Sequence, residues 1–186
     1  PGKNIKNFCG KPMIAWSILA AVQSNIFDKI IVSTDDEEIA AIAKEYGALV
    51  PFERPDNLSD DNTETLPVIA HAIKWLSENN TKPNYVCCIY ATAPFISSDD
   101  IKKAFYKLIE GSYSYVFSAT EYNFPIQRAF KINEDNKVEM FNEDSFSARS
   151  QDLEEAYHDA GQFYWGTSDA WSANQIIFGK QSSVIL

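Results

Sequence analysis

The sequence is poor in the signatures of several large classes of protein. Cys9, Cys87 and Cys88 are odd in number and form no C-x-x-C pair, which fits a reducing, cytoplasmic setting better than a disulfide framework. No apolar run approaches the roughly 18 residues of a membrane helix, and no secretory signal pattern is visible. Positive charge is scarce, with 16 Lys and Arg against 26 Asp and Glu. A formal net charge of -10 leaves no broad basic patch for nucleic acid or an anionic membrane. That balance points to a small-molecule partner. Internal repeats and low-complexity tracts are also absent.

What is present is the patterning of a layered α/β domain. The 186 residues, 45% of them hydrophobic, suffice for one domain with a sizeable core. Ile14, Ile18, Ala21 and Val22 form a helical stripe that starts at about Pro12, where a missing N–H costs nothing. Lys29 to Ser33 is a short β-branched strand, and Thr34, Asp35, Asp36 and Glu37 then cap a helix that stops at Gly47. Ala48 to Phe52 is a second brief strand, ended by Pro51 and Pro55. A helix follows from Pro67 to the stop at Asn79 and Asn80. Tyr85 to Ala91 is the most continuous apolar strand and is expected in the middle of the sheet. Ser97 or Ser98 caps a helix that ends at Gly111, and Tyr115 to Ala119 is a fourth strand. The alternation implies an α/β fold with a doubly wound, mostly parallel, Rossmann-like sheet and right-handed crossovers.

After Ala119 the pattern changes. Ala129 to Asn133 and Lys137 to Phe141 flank Glu134, Asp135 and Asn136 as a β-hairpin. Residues 124–158 thus read as an arm inserted into a single domain over 1–186, suited to pairing subunits as a homodimer. Ala160 to Gly166 returns to strand, Ser168 to Asn174 is a short helix, and Ser183 to Leu186 begins another strand.

In open α/β sheets, ligands bind beyond the carboxyl ends of the strands, which singles out the loops after Ser33, Phe52, Ala91 and Ala119 and the one at Pro1. Lys3, Lys6 and Lys11 make a basic loop without acids ahead of a helix N-terminus; it is either a solvated turn or an anion site. Arg54 to Thr65 sets one guanidinium and several hydroxyls after a strand, and on its own it is a solvated loop with Thr63 or Thr65 capping the next helix. Tyr90 to Phe95 on its own is a strand turning at Pro94. Arg149 beside acids reads as a surface ion pair of little energetic value. His158, one of two histidines, stands next to Asp159 and before Ala160 and Gly161, where backbone can approach a ligand.

Together, PGKNIK with GKPMIAWSI, RPDNLSDDNTET, YATAPF, RSQDL and YHDAGQFYWG resemble the sialic acid cytidylyltransferases over nearly the whole sequence. The last three look most like the members that use pseudaminic acid. The resemblance implies the nucleotidyltransferase fold of that family and the reaction of CTP with an acidic nine-carbon sugar to give a CMP-sugar and pyrophosphate. It implies that Lys3 is the catalytic cation at the triphosphate and that Asn4 fixes the nucleotide. Arg54, Thr63 and Thr65 would read cytosine, whose edge needs a donor at O2 and an acceptor at the N4 amino group. Arg149 matches the residue that holds the sugar carboxylate, a task for a planar fork. Gln151, His158 and Gln162 would surround the acylamino end of the sugar. Where the family has Q-P-T-S-P-L, Thr92 and Pro94 match but Tyr90 replaces the Gln on the acidic sugar, which implies a different nonulosonic acid and not a different reaction.

Mg²⁺ is implied as the partner of the triphosphate. The family's D-x-D metal pair is expected beyond Leu186, and the Asp that ketodeoxyoctonate enzymes carry at Thr92 is missing. Asp35 and Asp36 read as helix caps, so no metal ligand is assigned. The family's nucleotide loop also opens with a strand and a Gly/Arg/Ser/Lys-rich turn, so a further strand is expected before Pro1. Three other functions share features of the sequence: transfer of CMP to sialic acid itself, a nucleotide-sugar glycosyltransferase, and a non-catalytic nucleotide-binding module. The glycosyltransferase would need a D-x-D after a central strand, and none follows Ala91 or Ala119.

Overall fold

In the computed structural model, which describes residues 2–60 and 63–186, the apolar strand-forming runs pair into a mixed sheet and the amphipathic stretches cover both of its faces. Pro1 of the first loop and Asp61 and Asn62 of the Arg54–Thr65 motif lie outside the described residues. The chain divides into two compact units, one running up to Ser118 and again over Gly161–Ile185, the other formed by Ala119–Ala160 with Leu186.

The first unit is built on four strands in the order β3 (Tyr85–Ile89), β7 (Tyr157–Thr167), β4 (Tyr115–Glu121) and β8 (Ser182–Ile185). β3 pairs antiparallel with β7, Tyr85 opposite Thr167 and Ile89 opposite Phe163, while β4 and β8 are parallel. Thr167 donates its N–H to the Ser114 carbonyl and Tyr122 donates to that of Ala156, so β7 also runs against β4. Three strands therefore point one way, with β7 reversed between two of them. The expected middle position of β3 is corrected, since it ends this strand order among the described residues. Its apolar run records helices above and below it, not strands on both sides.

Strand alternation sends neighbouring side chains to opposite faces. Val116, Phe163 and Trp165 face Ala20 of α1 (Met13–Ser24) and Ile101, Ala104 and Leu108 of α4 (Ser98–Glu110). Tyr115, Phe117 and Tyr164 face Ile73 of α3 (Thr65–Glu78) and Ala170 and Trp171 of α5 (Ser168–Ser172). This is the doubly wound arrangement. The indole of Trp165 donates to the Ile101 carbonyl at 3.0 Å and that of Trp171 to Val86 at 3.1 Å, so neither buried donor is orphaned. Gly166 permits this packing, because a Cβ there would lie 2.4 Å from Trp171 Nε1 and 2.7 Å from the Tyr115 ring.

A third cluster joins Ile14 and Ile18 of α1 to Ala43 of α2 (Glu37–Glu45), with Ile30 and Val32 beneath. The strands expected at Lys29 to Ser33 and Ala48 to Phe52 shrink to one parallel bridge, Ile31 with Leu49. Leu49 donates to Ile30 at 2.8 Å and Val32 donates to Leu49 at 2.9 Å. The next donor in such a ladder would be the N–H of residue 51, which is proline, so pairing stops there. The helix caps follow the sequence more closely. Asp36 accepts from the amides of Glu38 and Ile39, and Ser97 from those of Asp99 and Asp100. α3 starts at Thr65 after Glu64, without a side-chain cap, so neither Thr63 nor Thr65 serves as one.

In the second unit, β5 (Phe130–Ile132) pairs with β6 (Val138–Met140). Asn133 closes the turn by accepting from Asp135 and Lys137. Lys131 and Glu139 form an ion pair at 2.9 Å on one face, while the alternate residues Phe130, Ile132 and Val138 are 58%, 66% and 68% exposed. No helix among the described residues is long and apolar enough to cross a membrane.

Candidate functional site

The basic loop is folded onto the start of α1. The amides of Met13 and Ile14 donate to the carbonyls of Lys6 and Asn4 at 2.9 and 2.8 Å. Two of the helix's first donors are thus already used, and an anion there would be met by the side chains of Lys3 and Lys6, both exposed. β1 (Asn7–Phe8) and β2 (Lys11–Pro12) form a hairpin across Cys9 and Gly10, whose φ values of 50° and 87° suit a tight turn. Lys11 lies over the Trp16 ring at 4.8 Å, so it is partly committed. Phe8 meets Phe95 edge-on at 5.7 Å, which docks the loop of Lys3 and Asn4 on the YATAPF segment.

At the end of β3, Tyr90 donates its N–H to the Gln162 carbonyl at 2.9 Å. Its own carbonyl accepts from Ser17 Oγ at 2.7 Å. The phenol ring packs on Tyr164 at 5.5 Å, and its oxygen stands 3.5 Å from Thr65 Oγ1. The structure therefore brings together Thr65, Tyr90 and Gln162, from α3, the end of β3 and β7. Ser17 is absent from the sequence-based candidates. Its signal was a hydroxyl on the apolar side of an amphipathic helix, only 5% exposed, which must find a partner.

Arg54 is held from two sides, donating through Nε to Ser59 Oγ and through Nη2 to Asp35 Oδ1, both at 3.1 Å. It braces its loop to the one preceding α2. Thr63 donates to Asp60 Oδ1 at 2.9 Å, so it and Arg54 are fixed by local partners and not through Thr65 or Tyr90. Asp35 is committed to Arg54 and Asp36 to the α2 cap. Among the described residues no three His, Cys, Asp or Glu gather to hold a metal ion. Burial pushes both the Cys87 and Cys88 thiols up, Cys88 to about 12. They remain protonated packing groups and not nucleophiles.

In the second unit, Arg149 is exposed and precedes a single 3₁₀ turn, Ser150–Asp152, that carries Gln151. The surface ion pair read for it from sequence does not form among the described residues. His158 is exposed on β7, with Nδ1 2.9 Å from the Asp159 carbonyl and its ring edge-on to Tyr122 at 4.8 Å. Tyr157 donates to Glu155 at 2.7 Å, and that bond raises its pKa.

A family profile described as cytidylyltransferase matches residues 1–175. The sequence is 50% identical over 186 residues to a pseudaminic acid cytidylyltransferase of Campylobacter jejuni subsp. jejuni serotype O:2, covering 100% of this chain and 80% of that protein. It is 33% identical over 181 residues to the N-acylneuraminate cytidylyltransferase B of Danio rerio, 97% of this chain and 41% of the other. Among solved structures, CMP:2-keto-3-deoxy-manno-octonic acid synthetase complexed with CTP matches with a TM-score of 0.68 at 14% identity, over 97% of this chain and 73% of that one. The last likeness is one of fold.

Proposed function

The chain belongs to the cytidylyltransferase family, and from that premise we propose that it transfers CMP from CTP to pseudaminic acid, an acidic nine-carbon sugar, and releases pyrophosphate. The observation that carries the choice of sugar is the 50% identity across all 186 residues, against 33% for a relative named for N-acylneuraminate. In this reaction the anomeric hydroxyl attacks the α-phosphate in line and pyrophosphate leaves. The protein's work is to align two anions and offset the charge that develops.

Lys3 supplies that offset beside the leaving phosphates, and Asn4 fixes the nucleotide next to it. Arg54, stiffened by Asp35 and Ser59, reads cytosine together with Thr63 and Thr65. Arg149 takes the sugar carboxylate in a bidentate pair. Tyr90, Gln151, His158 and Gln162 bind the rest of the sugar. Mg²⁺ accompanies the triphosphate, screening its charge. Asp35 and Asp36 do not fit it as ligands, being engaged by Arg54 and by the α2 cap, so the ion is assigned no protein ligand. The uncovered apolar face of Phe130, Ile132 and Val138 supports a homodimer formed through the arm over 124–158, and three free cysteines support a cytoplasmic enzyme.

The test is pyrophosphate release by the full protein with CTP, Mg²⁺ and either pseudaminic acid or sialic acid. Release with pseudaminic acid supports the proposal. Release with sialic acid alone would replace the sugar, and release with neither would overturn the reaction.

A further inference from the structure

We infer that Trp16 and Phe95 are positioning residues for the nucleotide: they hold the β1–β2 hairpin from outside, and through it they set where Lys3 and Asn4 stand. This inference rests on the proposed nucleotide roles of Lys3 and Asn4. The hairpin cannot hold itself. Its ladder has two residue pairs, Asn7 with Pro12 and Phe8 with Lys11, and proline has no N–H to give to such a ladder. A two-stranded hairpin is marginal in water even when longer. The Gly10 amide donates to Asn7 Oδ1 at 3.2 Å, which closes the turn but ties it to nothing else. Trp16, one turn into α1, supplies the first hold. Its indole N–H donates to the Phe8 carbonyl at 2.9 Å, and its ring lies under Lys11 Nζ at 4.8 Å, so one side chain grips both strands. Phe95 supplies the second, meeting the Phe8 ring edge-on at 5.7 Å. Being 80% exposed, Phe95 adds little to the core, and the Phe8 contact is the use the fold makes of it.

The hairpin is continuous with the loop that meets the nucleotide. α1 has no side-chain cap; the carbonyls of Asn4 and Lys6 take the amides of Ile14 and Met13 instead, at 2.8 and 2.9 Å. Lys6 adjoins β1, and the turn carrying Lys3 is closed by the Ile5 amide on the Gly2 carbonyl at 3.3 Å. A hairpin that swings at Phe8 therefore draws Lys6 off the helix end, and Asn4 and Lys3 follow within a few residues. Because a cation offsets an anion only at the right distance, a loose hairpin weakens the nucleotide first. Lys11, spent on the Trp16 ring, serves as a brace of this device and not as a further phosphate ligand.

The experiment compares Trp16→Phe and Phe95→Ala with wild type in the full protein. Calorimetric titration with CTP and Mg²⁺ in the absence of sugar reads nucleotide affinity, pyrophosphate release at saturating CTP reads the KM of pseudaminic acid, and a melting curve reads stability. Trp16→Phe keeps a ring beneath Lys11 and removes the donor to Phe8, so CTP should bind about fivefold more weakly. Phe95→Ala should also weaken CTP about fivefold. In both, the sugar's KM should stay as in wild type. Unchanged CTP affinity in either variant overturns the hold assigned to that residue, and a lowered melting temperature beside it would make the residue structural only. Losses shared equally by CTP and sugar, or confined to the sugar, would overturn the inference as well. If Trp16→Phe fails to fold, Phe95→Ala, altered at an exposed site, still decides. A wild type that does not bind CTP would remove the underlying reading, whereas a wild type that binds it no better than both variants removes this inference alone.

Discussion

Cys87, Cys88 and Tyr115 are ionisable groups whose charged forms burial disfavours, Cys88 and Tyr115 being pushed up to about 12. A pKa raised in the folded state means that the native protein keeps its proton where the unfolded chain has lost it. The stability from this source is complete below the ordinary thiol value of 9.0 and drains away as pH climbs towards 12. Denaturant unfolding should show that loss over this window. In the native protein at pH 8, a thiol reagent should label Cys9, the exposed cysteine, and reach all three only after unfolding. Arg149→Ala should raise the sugar's KM at least tenfold with CTP little affected, as expected for removing a charge-assisted pair; equal effects on both substrates would refute its role. Arg54→Ala should reduce the preference for CTP over UTP. The motifs made Arg54, Arg149 and Tyr90 visible before any coordinates. Ser17 was not visible, because a serine inside a helical stripe looks like a small neutral residue until its partner, 73 residues away, is brought beside it.

Among the elements, legibility tracks how local the cause is. The caps at Asp36 and Ser97 and the stop at Gly111 act within a few residues, so α2 and α4 could be read from the chain. The reversal of β7 and the edge place of β3 could not, since alternation reports which faces are covered and says nothing of direction or neighbours. The ladder of Ile31 with Leu49 failed at Pro51, a residue the sequence had marked as a terminator without showing how early it would act. Asp36→Ala removes the carboxylate oxygen that accepts from two amides and should cost about 1 kcal/mol, a melting shift of roughly 2–4 °C for a chain of this size. Leu108→Ala, at a site 1% exposed, should cost about 2–5 kcal/mol through the cavity left behind. Gly166→Ala should be worse tolerated than its one added methyl suggests, because the neighbours it would strike are an indole and a phenol ring already locked by hydrogen bonds.

At the scale of the whole molecule, the α/β class and the change of pattern after Ala119 were both legible, because a switch from helix-strand alternation to short paired runs is itself a sequence signal. The proposed homodimer should appear in sedimentation velocity at twice the monomer mass. Ile132→Lys with Val138→Lys, on the face opposite the Lys131–Glu139 pair, should yield monomers if that face is the contact; an unchanged mass would move the contact elsewhere. The second unit has one further property. Tyr122 and Ala156, near its two ends, are hydrogen-bonded to each other, so the intervening stretch leaves and rejoins the strands at a single doorway. Evolution can lengthen, trim or exchange the hairpin part of that stretch without shifting a strand, whereas replacement of the whole cassette would carry off Arg149 and Gln151 and, with them, the proposed hold on the sugar.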